Sequence, residues 1–327
     1  MVSRAGSAGA SRLQGPFVIA HSDIGPLNTL FSDAFTERYR RDGLVGVRVP
    51  RLNPAIWHYA IDDAADGAMQ WRDERGSMAA FVIAHRSGAE GWMGPLAVRD
   101  DLQGVGHGKM VVNAGVTWLR DAGCRVIGLE TMPRTMENIG FYGRLGFVPS
   151  HLTTTLTIEA AEASPAPVLL SALPPSARFA AVRACAALVS ELLPGYDFTR
   201  EIRLTTDLGL GDTLLLRSGG ADETLDGFAL CHSAPLVEGR AREELRVLKL
   251  VLRDTSSFDA LIPQLAHFAR RSGTAQASLR LQGEYGAVFH RLLAAGARLR
   301  WTDLRMALTG FEERRPDRGL VLSNWEI

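Results

Sequence analysis

A glycine-rich turn is the stretch of this 327-residue chain whose residue types most directly suggest chemistry. In LQGVGHGKMVV, residues 102–112, Gly104, Gly106 and Gly108 precede Lys109 and a segment with helical apolar spacing. Glycines reach backbone angles closed to other residues and remove Cβ atoms that would block a ligand. Amides at a helix N-terminus, with the helix dipole behind them, favour an anion. The pattern predicts a phosphate or pyrophosphate site, and a tight turn without a ligand is the alternative.

Two familiar phosphate-binding loops do not fit this spacing. A P-loop requires Ser or Thr after its lysine, but Met110 follows Lys109. A dinucleotide-binding loop requires GxGxxG, whereas Gly104, Gly106 and position 109 give GxGxxK. Antiparallel-looking strands also precede the turn, so it does not follow the first strand of a βαβ unit. Both nucleotide interpretations are therefore disfavoured.

The charge balance and the cysteines exclude several classes of partner. Lys plus Arg and Asp plus Glu are 36 each, so we expect neither nucleic acid nor an anionic membrane surface as a partner. A stretch of about 18 apolar residues is absent from the sequence, which predicts no membrane span. Cys124, Cys185 and Cys231 form no ligand cluster, which favours a reduced compartment and argues against structural zinc. We expect a cytoplasmic protein.

Hydrophobic periodicity then places the turn among regular elements. Residues 1–15, which lack an apolar segment, are expected to be a disordered, uncleaved tail. Next we expect a short strand at FVIAH, two helices, an antiparallel meander of GAMQW, MAAFVIAHR and GWMGPLAV, and the glycine turn with its helix. A strand at VIGLE, a helix at MENIGFYGRL and a long strand at FVPSHLTTTLTIE complete residues 16–160.

A linker and an internal repeat divide the chain. AAEASPAPV, residues 160–168, is small and proline-bearing, which places a boundary near residue 165. After it the order of predicted elements recurs over about 150 residues, too long a period for a solenoid. We therefore predict tandem copies of one domain, residues 16–160 and 165–327.

Two sequence signatures resemble those of the GNAT superfamily of N-acetyltransferases. Residues 103–108 match its Q/R-x-x-G-x-G/A signature, and GPLAV before them resembles its fourth strand. About thirty residues later, NIGFYGRLGF is similar to a second signature, filled by Asn138, Tyr142, Gly146 and Phe147. Residues 16–160 are thus identified as a member of the superfamily. The resemblance implies an α/β class of fold (an α+β mixed sheet), in which two tandem domains each have a mostly antiparallel sheet, flanking helices and a splayed strand pair.

The resemblance also implies acetyl-CoA as cosubstrate and no metal. Its pantetheine would lie between residues 92–98 and 126–130 and bond to the backbone of the fourth strand, and Gln103 with the amides of residues 105–109 would hold its pyrophosphate. The implied cofactor-binding residues are Leu96, Ala97, Val98, Gln103, Gly104, Val105, Gly106, His107, Gly108, Lys109, Asn138 and Tyr142. For the side chain of His107 we favour a solvated loop histidine over an additional phosphate donor.

Tyr142 and Glu130 are the candidate catalytic residues. The resemblance would place Tyr142 near the thioester sulfur as proton donor to the thiolate. A tyrosine suits that role because its pKa of about 10 keeps it protonated at neutral pH, above the value of about 8.5 of a thiol. A core aromatic is the alternative. Glu130, at the expected end of the fifth strand, is the candidate base, and a water chain or a purely structural carboxylate are its alternatives.

The second copy departs from both signatures. The turn in RDTSSFDALIPQL has no glycine, and Leu292 stands where the first copy has Tyr142. Side chains would fill the space that a pyrophosphate requires. We therefore predict a degenerate GNAT-like domain without a pyrophosphate loop, which shapes the acceptor site or stabilises the first copy. An unrelated α/β domain is the alternative.

The resemblance implies an acyl-CoA-dependent N-acyltransferase that moves acetyl from acetyl-CoA to a primary amine by direct attack. The acceptor would be a small-molecule or protein amine, and a homodimer is compatible with the sequence. A non-catalytic acyl-CoA sensor and a transferase of longer acyl groups are the alternatives. Aromatic residues of the first two helices could build an acceptor pocket, although such residues more often form the core: Phe31, Phe35, Trp57, His58 and Tyr59.

Overall fold

A computed structural model describes residues 12–164, 166–217 and 224–325. These residues form thirteen strands in one mixed sheet, together with eight α-helices. Within these ranges, the helices fall short of the length and apolar character needed to cross a membrane.

The N-terminal half contains four helices and six strands, in the order predicted. Its helices are α1 Ile24–Arg41, α2 Pro54–Ala64, α3 His107–Asp121 and α4 Met136–Gly143. Its strands are β1 Gln14–Val18, β2 Ala68–Arg72, β3 Met78–Ser87, β4 Glu90–Val98, β5 Val126–Thr131 and β6 Phe147–Glu159.

The C-terminal half repeats this order and adds one strand at its end. Its helices are α5 Pro175–Leu192, α6 Thr199–Asp207, α7 Phe258–Arg271 and α8 Gly286–Ala294. Its strands are β7 Val168–Leu169, β8 Gly211–Arg217, β9 Leu225–His232, β10 Glu244–Leu252, β11 Gln276–Gln282, β12 Arg298–Leu308 and β13 Leu320–Ser323.

Alternation along β3 decides which helices cover each face of the N-terminal sheet. Phe81 and Ile83 pack with residues of α1 and α2. Ala80, Val82 and Ala84 pack with residues of α3 on the opposite face. Because successive side chains of a strand point to opposite faces, an apolar strand such as MAAFVIA needs helices on both sides.

The two halves exchange their last long strands. The order of the sheet is β1-β2-β3-β4-β5-β12-β6-β11-β10-β9-β8-β7, so β12 lies next to β5 and β6 lies next to β11. Both pairings are antiparallel, and β6 also pairs with β12. The predicted repeat of elements is therefore present, but the copies share one sheet and each completes the other.

The splayed strand pair is present in the N-terminal half. Parallel pairing of β4 with β5 runs from Glu90 and Val126 to Met93 and Leu129, and there it ends. A bulge at Gly94 and Pro95 bends β4 at that point, since two residues oppose one on β3. The two strands consequently diverge toward their carboxyl ends.

In the C-terminal half a strand occupies the corresponding gap. Parallel pairing of β10 with β11 likewise ends at Val247 and Leu279. Beyond it, β13 pairs with residues 249–252 of β10 in antiparallel register. The backbone groups of β10 that would face a pantetheine are therefore bonded to the protein's own last strand.

The chain termini of the two copies differ in detail from the expected boundaries. Strand β1 begins at Gln14 and Leu13 is buried, so residues 12–15 are structured rather than part of a disordered tail. Residues 1–11 lie outside the described part of the chain, as does Pro165, where the boundary was expected. The linker before it is held to the second half, because the amides of Ala160 and Ala161 donate to Ala275 and Ala266.

Candidate active site

A cavity of about 640 Å³ lies between the diverging ends of β4 and β5. Its wall includes Met93 to Val98 of β4 and the run from Leu129 to Met132 at the end of β5, and helices α1, α3 and α4 contribute further residues. Of the twelve predicted cofactor residues, ten line this cavity, and Val105 and His107 do not: Leu96, Ala97, Val98, Gln103, Gly104, Gly106, Gly108, Lys109, Asn138 and Tyr142. The gap between the diverging strands and the glycine turn thus belong to the same cavity.

The glycine turn has the backbone geometry that its sequence predicts. Gly104 and Gly106 have φ values of 81° and 97°, which side-chain-bearing residues rarely adopt. Gly106 is the N-cap of α3, and a Cβ on either glycine would meet open space. The backbone angles at positions 104 and 106, and not a lack of space for a side chain, therefore require glycine. The first amides of α3 lack partners within the helix and can receive an anion.

Gly108 serves a different purpose in the same turn. A Cβ built there would stand 3.3 Å from the ring of Phe141 in α4. The third glycine therefore permits the close approach of α3 to α4, the helix that carries Asn138 and Tyr142.

The polar side chains of the turn stabilise its shape. Gln103 donates through Nε2 to the carbonyl oxygen of Val98 at 2.8 Å and accepts from Arg41 Nη1 at 3.1 Å. His107 is half-buried, with Nδ1 3.0 Å from the carbonyl oxygen of Leu102, to which it donates in the matching tautomer. This bond fastens His107 across its own turn, so its side chain is less solvated than expected. Val105 is exposed, so only its backbone could serve a ligand.

Cationic side chains gather around the turn. Lys109 lines the cavity, as do three arginines that the sequence reasoning missed, Arg38, Arg41 and Arg144. The run TERYRR at the end of α1 was the available signal for two of them. Arg41 is paired with Glu37 and Asp100, and Arg38 with Asp42 and Glu137. This end of the cavity can therefore accommodate the negative charge of a pyrophosphate.

Tyr142 lies in the cavity wall on α4 and is itself almost entirely buried. Its ring packs against Phe141 and Phe147. Burial raises its pKa to about 12. The phenol consequently stays protonated throughout the physiological pH range and is able to offer its O–H to a ligand atom.

Asn138 lies one turn before Tyr142 on α4. Its Nδ2 is 3.4 Å from Oγ1 of Thr131 at the end of β5, a long contact. Both residues line the cavity. The amide is thus placed beside the diverging end of β5, where a ligand threaded between the strands would pass.

Glu130 faces the cavity as expected, but its partners argue against a role as base. Its Oε1 accepts from Arg305 Nε at 2.8 Å and from Thr153 Oγ1 at 2.7 Å, and its Oε2 accepts from Arg280. Despite burial, the two guanidinium groups and these hydrogen bonds lower its pKa to about 2. A carboxylate held so firmly as an anion is a weak proton acceptor at neutral pH.

Residues of the C-terminal half complete the cavity wall. Trp301 and Asp303 of β12 line it, because β12 occupies the position beside β5. Sequence reasoning missed both, since it assigned their strand to a separate domain. From α1, Phe35 and Tyr39 also reach the cavity.

The other aromatic residues considered for the acceptor are structural. Phe31, Trp57 and Tyr59 are buried in the core of the N-terminal half or its contact with the C-terminal half. His58 packs edge-on against His21. Of that group only Phe35 belongs to the cavity.

The described residues contain no cluster of three or more His, Cys, Asp or Glu side chains arranged to hold a metal ion. The cavity instead offers main-chain amides, cations at one end and carboxylates on β5 and β12. Such a set suits an elongated ligand with an anionic head, and it fits the phosphates and pantetheine arm of a coenzyme A thioester.

Comparison with known proteins agrees with this geometry. Residues 30–147 match the model of the acetyltransferase (GNAT) family. A comparison with curated proteins found none that matches the sequence.

Several solved structures share the fold over most of both chains. A GCN5-related N-acetyltransferase from Sphaerobacter thermophilus is 16% identical over 94% of this chain and 97% of its own, with a TM-score of 0.56. A tandem GNAT protein from the clavulanic acid biosynthesis pathway is 11% identical over 90% and 98%, with a TM-score of 0.59. Saccharomyces cerevisiae N-myristoyltransferase with bound myristoyl-CoA is 10% identical over 96% and 86%, with a TM-score of 0.63. At such identities the likeness concerns the fold. Residues 30–147 of this chain therefore match the GNAT family model, and they lie in a two-copy fold similar to that of a tandem GNAT protein.

Proposed function

We propose that this protein is an acyl-CoA-dependent N-acyltransferase that transfers acetyl from acetyl-CoA to a primary amine. The observation that supports it most is the single cavity that joins the glycine turn, the diverging strands and Tyr142. When bound, an acyl-CoA supplies an activated thioester carbonyl, which an amine attacks to give an amide and free CoA thiol.

The protein's own residues have three tasks in this reaction. The first amides of α3, with Gln103 and Lys109, hold the pyrophosphate. The backbone of β4 around Leu96 and Val98 aligns the pantetheine. Tyr142 keeps a proton at the buried end of the cavity, where the departing sulfur can accept it.

The C-terminal half has, in this proposal, no cofactor of its own. Strand β13 bonds to the part of β10 that a pantetheine would need. The half instead supplies β12 with Trp301 and Asp303 to the wall of the first site. The proposal therefore gives one acyl-CoA site per chain.

Release of free thiol tests the proposal. The full chain is incubated with acetyl-CoA and five amines: glucosamine, spermidine, phenethylamine, lysine and a tetrapeptide with a free N-terminus. We expect amine-dependent thiol release with at least one of them, above the rate of hydrolysis without amine. Acetyl-CoA binding without turnover on an extended amine panel would instead indicate a non-catalytic acyl-CoA-binding protein.

The acyl group is tested separately. Thermal stabilisation by acetyl-, propionyl-, succinyl- and myristoyl-CoA at equal concentrations ranks their affinities for the folded protein. We expect acetyl-CoA to support the highest turnover. If a longer acyl-CoA is turned over faster than acetyl-CoA, the protein is still an N-acyltransferase, but its acyl donor is the longer acyl-CoA.

A further inference from the structure

The cavity wall contains a second carboxylate, and it belongs to the C-terminal half. Leu304 of β12 pairs with Thr131, the last residue of β5, so Asp303 extends one position beyond the end of that strand. Its side chain is 18% exposed and lines the cavity. Asp303 is therefore accessible from the cavity although most of its surface is covered.

Asp303 and Glu130 share one cation unequally. Arg280 Nη2 donates to Asp303 Oδ2 at 2.9 Å and also binds Glu130. Glu130 has Arg305 and Thr153 in addition, whereas the other hydrogen bond of Asp303 comes from the neutral Trp301 Nε1 at 3.1 Å. Of the two carboxylates, Asp303 is the one whose charge is less fully compensated.

The surroundings of Asp303 on each neighbouring element set its proton affinity. Burial raises its pKa, Arg280 of β11 opposes that rise, and the charge of Glu130 on β5 adds to it. On α1, burial and the nearby charge of Asp303 raise the pKa of Tyr39, so that phenol stays neutral. A carboxylate in this setting accepts a proton more readily than Glu130 does.

We propose that Asp303 binds the ammonium group of the acceptor and takes up its proton, so that the C-terminal half completes the active site. This inference rests on the proposed N-acyltransferase function. The acceptor class is then a primary amine that arrives protonated. The rings of Trp301 and Tyr39, which line the same cavity, favour such a cation as well.

The protons balance as follows. At Asp303 one N–H bond of the ammonium breaks and one O–H bond forms, which frees the nitrogen lone pair for attack on the thioester carbonyl. Formation of the C–N bond and breakage of the C–S bond release a second proton from nitrogen. One proton ends on the CoA sulfur, supplied through Tyr142, and one proton passes to solvent.

Asp303→Asn tests the inference, because asparagine keeps the size of the side chain and can still accept from Trp301. We expect kcat/KM for the amine to fall about 100-fold at pH 7, with the Kd of acetyl-CoA changed less than twofold. From pH 7 upward the deficit should shrink about tenfold per pH unit and disappear near pH 9, because an amine that is already free no longer needs the base. Asp212→Asn, a buried aspartate of β8 outside the cavity, is the matched control and should keep wild-type kcat/KM.

A binding measurement separates this inference from turnover. With CoA present, the amines that serve as acceptors should raise the melting temperature of the wild type and leave that of Asp303→Asn unchanged. A variant with wild-type kcat/KM, or a deficit equal at every pH, would overturn the role of Asp303 and leave the acyltransferase standing. Absence of amine-dependent turnover in the wild type would overturn both, and the wild-type assay alone reveals it.

Discussion

Glu130 and Arg280 occupy equivalent positions in the two halves, and they pair with each other. Glu130 is the fifth residue of β5, and Arg280 is the fifth residue of β11. The first residue of each strand begins the parallel pairing with the preceding strand of its own half, β4 or β10. Their ion pair spans the two exchanged strands, β12 and β6, and joins the halves beside the cavity. The residue first considered as a base is thus a link between the copies.

Removing this link should destabilise the whole fold. Glu130→Ala removes one of the two carboxylates, Glu130 and Glu313, that pair with the fully buried Arg305. Breaking a buried ion pair costs at most about 3–5 kcal/mol, and the remaining pair with Glu313 should keep the loss at or below that range. Urea unfolding at pH 7 measures the change. Glu137→Ala removes a carboxylate that is 74% exposed from its pair with Arg38 and should cost less than about 1 kcal/mol. Equal effects of the two substitutions would contradict the structural role.

The same pair predicts how stability depends on pH. The folded pKa of Glu130 is about 2, below its ordinary value of 4.5, so its contribution is complete above pH 4.5. It is lost as the pH falls from 4.5 toward 2, because the unfolded chain then binds the proton more strongly. The difference in melting temperature between wild type and Glu130→Ala should therefore narrow over that range. If the difference in melting temperature stays constant over this pH range, the ion pairs of Glu130 do not contribute to the free energy of unfolding.

Tyr142→Phe should impair turnover and spare binding. Loss of the phenol proton should lower kcat about 100-fold, with the Kd of acetyl-CoA unchanged. Steady-state kinetics and calorimetry measure the two quantities. Tyr196→Phe removes another buried hydroxyl, outside the cavity, and should leave kcat unaffected. Full activity of Tyr142→Phe would assign Tyr142 to the hydrophobic core alone.

Gly106→Ala tests the glycine turn through its backbone. Alanine at φ 97° costs on the order of 1 kcal/mol and should shift the first amides of α3, which directly follow it. We expect the Kd of CoA to rise at least about tenfold, corresponding to roughly 1.4 kcal/mol. Gly123→Ala imposes comparable strain at φ 79° beyond the other end of α3, with open space around it. The turn has no role in binding if both variants bind CoA equally.

One acyl-CoA should bind per chain. In the second half β13 takes the backbone positions on β10, and Leu322 is buried against the core there. Isothermal titration with acetyl-CoA should give a stoichiometry near one, and Gly106→Ala should weaken that single event. A second binding event that survives in Gly106→Ala would place a cofactor in the C-terminal half.

The sequence by itself determined the local features. Gly104 and Gly106 could be assigned because their left-handed backbone angles depend on nothing beyond their own missing side chains. The spacing that places Asn138 and Tyr142 on one face of α4 is likewise local, and so is the alternation that forms β3. For the same reason most of the order of helices and strands could be predicted, although α6 and the short β7 of the second copy were not.

Only the tertiary structure decided which strands meet. Exchange of β6 and β12 pairs residues about 150 positions apart, and equivalent strands with similar apolar patterns offer either pairing the same local fit. That choice gives Glu130 its two arginines and brings Trp301 and Asp303 to a site in the other half. The tertiary structure also places β13 beside β10, where it fills the gap between β10 and β11 in the C-terminal half. A carboxylate's function depends on the charges around it, and here those charges come from the distant half of the chain.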